Sequence, residues 1–298
     1  VTEWRNGAPS SDILPFHFSD PRTGRIQLPA YPTGMSQDWT DKIVLVTGGG
    51  GGMGQAAARR FAEAGAKTFV FGRTLESLEE TAALSPLIVP VVCDVADPYS
   101  VKTAMETVLK AGTPLALIHT AGINTPDRFM AHSDPARIAG HESWQRVMDI
   151  NVLGVVNMMQ ALTKPMAENG GGRIVVVSST AGHGFDSFAG VPYTASKWAV
   201  HGLLFTARPQ LAAHGIVVSE YAPGEAYTPL VEKRPVRPTA EHCDAMIQTG
   251  DCAETLFFIA SQAHSMSVIQ LPVYQPFGGM PPQITAPWLE GLEIKAKS

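Results

Sequence analysis

The sequence predicts a single doubly wound α/β domain built on a parallel seven-stranded sheet, and three observations lead to this prediction. From Lys42 onward, short β-branched runs alternate with helix-like runs. The strand candidates are apolar on both faces, which is typical of a parallel sheet covered by helices. No second break in composition interrupts residues 41–279. We therefore expect one domain over 41–279, an irregular extension at 1–40 and a tail at 280–298.

The alternation can be followed element by element. The candidate strands are Ile43–Val46, Thr68–Phe71, Ile88–Val92, Leu115–His119, Ile174–Val177, Ile216–Ser219 and Val268–Val273. The clearest candidate helices are Gly54–Ala64, Trp144–Met166 and Tyr193–Ala213. The extension is rich in proline and lacks periodicity, so it is either a loosely ordered arm or an arm that packs on the body or on a neighbouring subunit.

Composition excludes several classes of protein. The 298 residues carry a net charge of −5 with both signs dispersed, so a nucleic-acid partner is not expected. The three cysteines are widely spaced and the histidines lack ligand spacing, which predicts neither a disulfide framework nor a metal site. There is no signal-peptide pattern and no apolar run of about 18 residues. We expect a cytoplasmic protein.

The run VLVTGGGGGMG, residues 44–54, lies between the first strand and the first helix. In that position glycines allow a tight turn, close approach of a pyrophosphate to the backbone, and close packing of helix on strand. The helix N-terminus then offers free N–H groups to phosphates, and Gly65 can end the helix in a left-handed conformation. This predicts a Rossmann dinucleotide site; the alternative is a plain flexible loop.

The end of the second strand predicts which dinucleotide is bound. An enzyme that uses NAD places an acid there, on the ribose 2′-hydroxyl. This chain has Gly72 and then Arg73, whose guanidinium can hold a 2′-phosphate. NADP(H) is therefore the predicted cofactor. The alternative is that Arg73 is a solvated residue and that Glu76 turns inward to bind NAD(H).

Tyr193 and Lys197 are four residues apart, on one face of a predicted helix. A phenol ordinarily titrates near pH 10. A neighbouring ammonium favours the phenolate, which allows the phenol to exchange protons nearer neutrality. A proton-transfer pair is predicted here.

These motifs together resemble the short-chain dehydrogenase/reductase family over residues 42 to about 279. The family pattern Thr-Gly-x-x-x-Gly-x-Gly matches Thr47 to Gly54, and Tyr-x-x-x-Lys matches Tyr193 to Lys197. The closing segment also resembles NADP-dependent 3-hydroxy acid (serine) dehydrogenases.

The resemblance implies catalytic roles for four residues: Ser179, Tyr193, Lys197 and Asn151. Ser179 would hold the substrate oxygen, although the usual family spacing points to Thr180. The backbone carbonyl of Asn151 would hold a water that connects Lys197 to solvent.

The resemblance also implies the cofactor contacts. The expected cofactor-binding residues are Thr47, Gly48, Gly50, Gly51, Gly52, Met53, Gly54, Arg73, Thr74, Asp94, Val95, Ala121, Gly122, Tyr193, Lys197, Pro223, Gly224, Ala226 and Thr228. Asp94 would bind the adenine amino group, unless it only forms a turn at a strand end. The family's Asn-Asn-Ala-Gly is replaced by His119-Thr120-Ala121-Gly122, so the contacts that stabilise the central sheet must differ.

The predicted function is NADP(H)-dependent hydride transfer between nicotinamide and a carbonyl or secondary alcohol. Residues 183–190 and 225–246 should line the substrate space, and their aromatic residues, Phe185, Phe188 and Tyr227, suggest an apolar or ring-bearing substrate. The basic trio Lys233, Arg234 and Arg237 could receive an acidic group, but a solvated face is favoured. The alternatives are an NADP(H)-binding sensor without turnover and an NAD-dependent alcohol dehydrogenase. The family further implies a homodimer or homotetramer.

Overall fold

A computed structural model describes residues 38–125, 139–184, 189–231, 234, 237–263 and 266–275. All but the last three residues of the predicted extension lie outside these ranges, and so does the predicted tail. The extension and the tail therefore stay predictions.

The described strands form one parallel sheet. They are β1 Ile43–Thr47, β2 Lys67–Gly72, β3 Ile88–Val92, β4 Ala116–His119, β5 Gly172–Val177, β6 Ile216–Pro223 and β7 Gln270–Val273. Their order is β3-β2-β1-β4-β5-β6-β7, and each neighbouring pair is parallel. The predicted seven-stranded parallel sheet is confirmed.

The described helices are α1 Gly52–Glu63, α2 Leu75–Ala82, α3 Pro98–Ala111, α4 His141–Met148, α5 Gly154–Glu168, α6 Val191–Ala212, α7 Ala240–Ala245 and α8 Thr249–Ala260. The predicted helix Trp144–Met166 differs from the structure. A π-helical segment, Asp149–Leu153, separates α4 from α5. A π-turn contains one more residue than an α-turn, so it changes the direction in which the following side chains point.

Burial on both faces explains the apolar strands. Within β1, Ile43 and Leu45 pack into one core, and Val44 and Val46 pack into the core on the opposite face. This is the two-residue alternation of an extended strand. The core on the side of Val44 also includes Trp39, whose indole N–H donates to Ser261 Oγ over 2.8 Å. The end of the predicted extension therefore packs against the domain.

The sheet order places the candidate site. The chain leaves β1 toward β2 on one side and returns to β4 on the other, so a crevice opens at the carboxyl ends of these strands. Thr47 and His119 end β1 and β4, and Val177 and Pro223 end β5 and β6. The predicted site residues follow these ends.

Among the described residues, no helix has both the length and the apolar character that crossing a membrane requires.

Candidate active site

The glycine run forms a tight turn between β1 and α1. Gly48 and Gly52 have left-handed φ values of 67° and 53°, which L side chains rarely adopt. A methyl group on Gly54 would collide with the carbonyl oxygen of Gly48 and lie 2.6 Å from Thr120 Oγ1. Gly54 is thus required for packing of helix on strand. By contrast, the nearest atom to a methyl group on Gly51 would be 3.9 Å away, on Pro229.

The start of α1 fits the diphosphate of a dinucleotide. Gly51 caps the helix without a side-chain hydrogen bond, and no acidic residue lies in the first turn. The first N–H groups of the helix are left to bind an anion. Gly52 faces Thr228, since a methyl group on Gly52 would lie 3.4 Å from Thr228 Cβ. The segment after β6 therefore borders the glycine turn, and both could contact one ligand.

A shallow cleft of about 370 Å³ lies beside the ends of β2 and β3. Arg73 and Asp94 line one side, and α4 residues such as Arg146 line the other. Arg73 is exposed, and no described residue forms an ion pair or hydrogen bond with its side chain. Asp94 Oδ1 accepts the N–H of Ala96 over 3.0 Å. Asp94 therefore forms the turn at the end of the strand that was predicted as the alternative to adenine binding, and it also borders the cleft.

The segment that replaces Asn-Asn-Ala-Gly joins β4 to β1 through different contacts. Thr120 Oγ1 donates to the Thr47 carbonyl over 2.7 Å, and the N–H of Ala121 donates to Thr47 Oγ1 over 3.2 Å. His119 Nδ1 lies 3.1 Å from Thr47 Oγ1. Burial and then the charge of Lys197 lower the pKa of His119 to about 3. His119 is therefore a neutral residue of the sheet at pH 7.

The π-helical segment places Asn151 at the centre of a hydrogen-bond network. Asn151 is 1% exposed. Its Oδ1 accepts the N–H of Ile123 over 2.8 Å, and its Nδ2 donates to the Ile123 carbonyl and to Ser196 Oγ, each over 2.9 Å. Ser196 Oγ in turn donates to the Tyr193 carbonyl over 2.7 Å. Ser196, which the sequence did not indicate, thus connects Asn151 to the first turn of α6.

Lys197 is buried on α6, one turn after Tyr193. Its Nζ donates to the Val177 carbonyl over 3.1 Å and lies 5.4 Å from the centre of the Tyr193 ring. A methyl group on Gly122 would lie 3.8 Å from the same Nζ. Burial lowers the pKa of Lys197 to about 8, although the negative charge of Glu220 acts in the opposite direction. An ammonium that titrates close to neutrality lies beside a phenol.

The serine pair follows β5. Ser179 is 9% exposed and begins a 3₁₀ turn, Thr180–Gly182, in which its Oγ accepts the N–H of Ala181 over 3.2 Å. This turn packs on α6, because a methyl group on Gly182 would lie 2.8 Å from the Lys197 carbonyl oxygen. Ser178 is buried and lies toward Tyr221 and Glu220. The serine turn and the Tyr-Lys helix are therefore held together.

The segment after β6 is held by one carboxylate. Glu225 accepts hydrogen bonds from Arg234 over 2.8 Å and from Gln275 over 3.3 Å, and it pairs with His242 over 2.7 Å. Arg234 is thus engaged within the segment. Lys233, Phe185 and Phe188, which were also predicted near the substrate, lie outside the described residues.

The remaining predicted residues lie around the crevice in distinct settings. Thr74 precedes α2, buried Val95 packs on Gly154, Gly50 faces Ser77, Met53 lies in α1, Gly224 donates to the Val273 carbonyl over 2.7 Å, and Ala226 bridges to Ile247.

Sequence reasoning missed Glu220, His201 and Ser196, because their significance depends on contacts between distant elements. The sequence contained one signal for this group: Glu220 is a single acidic residue within the apolar strand β6, where alternate side chains share a face.

Comparison with known proteins agrees with this geometry. The short chain dehydrogenase family model matches residues 42–239. The chain is 32% identical over 234 residues to the 3-oxoacyl-[acyl-carrier-protein] reductase FabG of Thermotoga maritima, covering 75% of this chain and 92% of that protein. It is 34% identical over 201 residues to a 3-alpha-(or 20-beta)-hydroxysteroid dehydrogenase of Mycobacterium bovis, covering 66% and 74% respectively.

Two crystal structures from Brucella melitensis share the fold, each at 26% identity. One, described as a ribose-5-phosphate isomerase, has a TM-score of 0.72 over 86% of this chain and 97% of its own. The other, a 3-oxoacyl-[acyl-carrier protein] reductase, has a TM-score of 0.70 over 80% and 91%. The chain is a member of the short-chain dehydrogenase/reductase family, oxidoreductases that act on carbonyl or alcohol substrates with a nicotinamide cofactor.

Proposed function

We propose that this chain is an NADP(H)-dependent reductase of small apolar or ring-bearing ketones. The observation that carries the cofactor preference is Arg73, an unpaired guanidinium among the described residues at the end of β2. A carboxylate at this position would repel a 2′-phosphate, whereas a guanidinium can bind it through two hydrogen bonds. Glu76, the acid of the competing NAD hypothesis, lies beyond it in the first turn of α2 and is exposed.

In this proposal the cofactor supplies the hydride, and the chain's own residues move the proton. Tyr193 gives its phenolic proton to the substrate oxygen as charge develops there. The ammonium of Lys197 stabilises the phenolate that remains. Ser179 donates its hydroxyl proton as a hydrogen bond to the same substrate oxygen and so fixes the carbonyl against Tyr193.

The hydrogen bonds around Asn151 help to hold α6, which carries Tyr193 and Lys197, in position. Because Asn151 uses its whole amide to bind Ile123 and Ser196, its side chain is held rigidly. Its backbone carbonyl, in the π-helical segment, would hold a water that links Lys197 to solvent, and along this path a proton from solvent would replace the one that Tyr193 gave up. The segment thus acts as a support rather than as a reactive group.

An ion pair near the site supports the proposed substrate class. Arg234 is bound to Glu225, so it does not offer a free cation to an acidic substrate. Tyr227, which is 41% exposed, lies on the same segment and offers an aromatic face. One relative is named for a hydroxysteroid, a substrate built of fused rings. These observations favour a ring-bearing ketone over a small acid.

We also propose that the chain forms a homodimer or homotetramer. Trp198 and Phe205 on α6 are 49% and 67% exposed, a large apolar surface for one helix. Light scattering after gel filtration should give a mass of two or four times 31.8 kDa. A monomer at micromolar concentration would contradict this proposal.

The function is tested by following NADPH and NADH oxidation against a panel of cyclic, aromatic and small acidic ketones. Wild-type protein should prefer NADPH and cyclic or aromatic ketones. Arg73→Ala should reduce the preference for NADPH over NADH by about tenfold, the value of one charge-assisted contact of about 1.4 kcal/mol. The matched control is Arg59→Ala, which removes an exposed arginine of α1. An unchanged ratio in Arg73→Ala would overturn the cofactor proposal, and tight NADPH binding without turnover would favour a sensor.

A further inference from the structure

Three side chains from separate elements converge behind the serine turn. His183 follows the 3₁₀ turn, His201 lies on α6 and Glu220 lies on β6. Their ligand atoms all lie within 4.8 Å of one another. The Glu220 side chain is fully buried, whereas 13% of the His183 side chain and 26% of the His201 side chain are exposed. The cluster is thus anchored inside the fold and open to solvent on its histidine side.

Both histidines are directed at the same carboxylate. His183 Nε2 lies 2.8 Å from one oxygen of Glu220, and His201 Nδ1 lies 2.9 Å from the other. A buried carboxylate is costly unless it is paired. Two imidazole nitrogens and one carboxylate therefore lie close together and face one another. A divalent cation is bound by donor atoms that converge in this way.

We propose that His183 Nε2, His201 Nδ1 and the Glu220 carboxylate form a zinc site. Two imidazoles and one carboxylate are a donor set that Zn²⁺ prefers, with a water in the fourth position. Zinc–ligand distances are about 2.0–2.2 Å. Donor atoms that already lie within 4.8 Å of one another can reach such distances through small side-chain rotations. The partly exposed edges of the histidines leave a route for the ion and its water.

Gln270 makes this chemistry possible at His183. Its Nε2 lies 2.8 Å from His183 Nδ1, so in the metal-free protein Nδ1 accepts and Nε2 carries the proton toward Glu220. When zinc takes Nε2, the proton moves to Nδ1. A rotation of the Gln270 amide then presents its oxygen to Nδ1–H, the outer contact that metal-bound histidines usually make.

The positive charge of Arg208 should weaken the binding of a cation at this site, so replacing Arg208 tests the proposal. Its guanidinium lies 3.7 Å from Glu220 and donates to the carbonyls of Val218 and Ile269. The two carbonyls hold the guanidinium in place, so its charge weakens the attraction of the site for a second cation. Replacing it with neutral glutamine should therefore tighten zinc binding, an effect that a purely structural triad would not show.

Zinc bound here would connect the segment after the serine turn to α6 and β6. The ion would stabilise the folded chain, because it binds the assembled ligands and not the unfolded chain. Zn²⁺ binding can be measured without cofactor or substrate, so its test does not depend on the proposed function.

The test uses the 298-residue chain without an affinity tag, treated with EDTA and then dialysed. Zn²⁺ is titrated in a calorimeter, and bound metal is counted by mass spectrometry. We expect one Zn²⁺ per chain, a Kd of about 1 µM or tighter, and intense visible absorption bands of a tetrahedral site when Co²⁺ is used instead. Each of His183→Gln, His201→Gln and Glu220→Gln should weaken binding at least tenfold, and Arg208→Gln should strengthen it.

The matched control is His214→Gln, which removes a histidine outside the cluster. It should bind Zn²⁺ as wild type does. If Glu220→Gln fails to fold, the partly exposed His201 still gives a decisive variant. Folded wild-type protein that binds no stoichiometric Zn²⁺, or that binds it equally well in His201→Gln and His183→Gln, would overturn the site and leave a hydrogen-bonded triad.

Discussion

The two halves of the crevice are built by opposite means. On the β1–β3 side, close packing depends on the absence of side chains, as at Gly48 and Gly54, and the cleft is open. On the β5–β6 side, polar groups are buried, among them Lys197 and Glu220, which are 5% and 0% exposed. The first half offers backbone N–H groups to an anion, and the second holds charges whose burial alters their acidity. The comparison predicts that substitutions in the first half impair folding and cofactor binding, and that those in the second impair proton transfer.

The largest effect is expected from the second half. Tyr193→Phe removes one hydroxyl and should lower turnover by about 10²- to 10⁴-fold, the usual contribution of a general acid. NADPH affinity, measured by fluorescence titration, should fall far less than turnover, because the hydroxyl is one of many expected cofactor contacts but the main source of the transferred proton. Tyr99→Phe, at a position 80% exposed on α3, is the control. A Tyr193→Phe variant with more than a tenth of wild-type turnover would contradict the assignment.

In the first half, substitutions at two glycines should distinguish an effect on packing from an effect on cofactor binding. Gly54→Ala should lower the free energy of unfolding by about 2 kcal/mol or more, because the new methyl group collides with backbone. Gly51→Ala should keep the wild-type stability, since its methyl group makes only an ordinary contact with Pro229 at 3.9 Å, and should weaken NADPH binding by crowding the diphosphate.

Urea unfolding and NADPH titration of both variants measure these effects. Gly250→Ala is the control: nothing lies within 4 Å of its new methyl group, and alanine should stabilise α8 by up to about 1 kcal/mol. Equal stability losses in Gly54→Ala and Gly51→Ala would show that the turn is not packed as described.

Much of this contrast could be predicted from the sequence because the first half depends on local pattern. Glycine spacing, the strand before it and the helix after it lie within one short segment, so the turn and Gly65 at the helix end follow from it. The β-branched runs likewise predict all seven strands. The π-helical segment around Asn151 could not be predicted, because its residues have the periodicity of an ordinary helix.

The second half depends on contacts that no local pattern contains. Glu220 is a single acidic residue in an apolar strand, and it acquires partners only when α6 and the serine turn pack against β6. Ser196 connects Asn151 to Tyr193 across two helices. The replacement of the expected asparagines by His119 and Thr120 showed that the contacts must differ, but the hydroxyl of Thr47 as the shared partner appears only in three dimensions.

A smaller effect concerns His119, which lies where the two halves meet. Its pKa in the folded chain is about 3, below the ordinary value of 6.5. Below about pH 6.5 the unfolded chain therefore takes up a proton that the folded chain does not, and stability falls by roughly 1 kcal/mol per pH unit until about pH 3. His119→Asn should flatten this dependence in urea unfolding between pH 7.5 and 5, and His214→Asn should not. Identical slopes in wild type and His119→Asn would contradict the buried, neutral histidine.

The central claim is that a buried ammonium of low pKa serves the proton-transferring phenol, and the pH dependence of ketone reduction tests it most directly. Lys197 has a pKa near 8 against the ordinary 10.5, so its charge is present below about pH 8 and lost above it. At saturating NADPH and ketone, the turnover rate should fall as pH rises through about 8, approaching a tenfold loss per unit. A rate that stays constant from pH 7 to 10, in protein shown by circular dichroism to remain folded, would contradict the account.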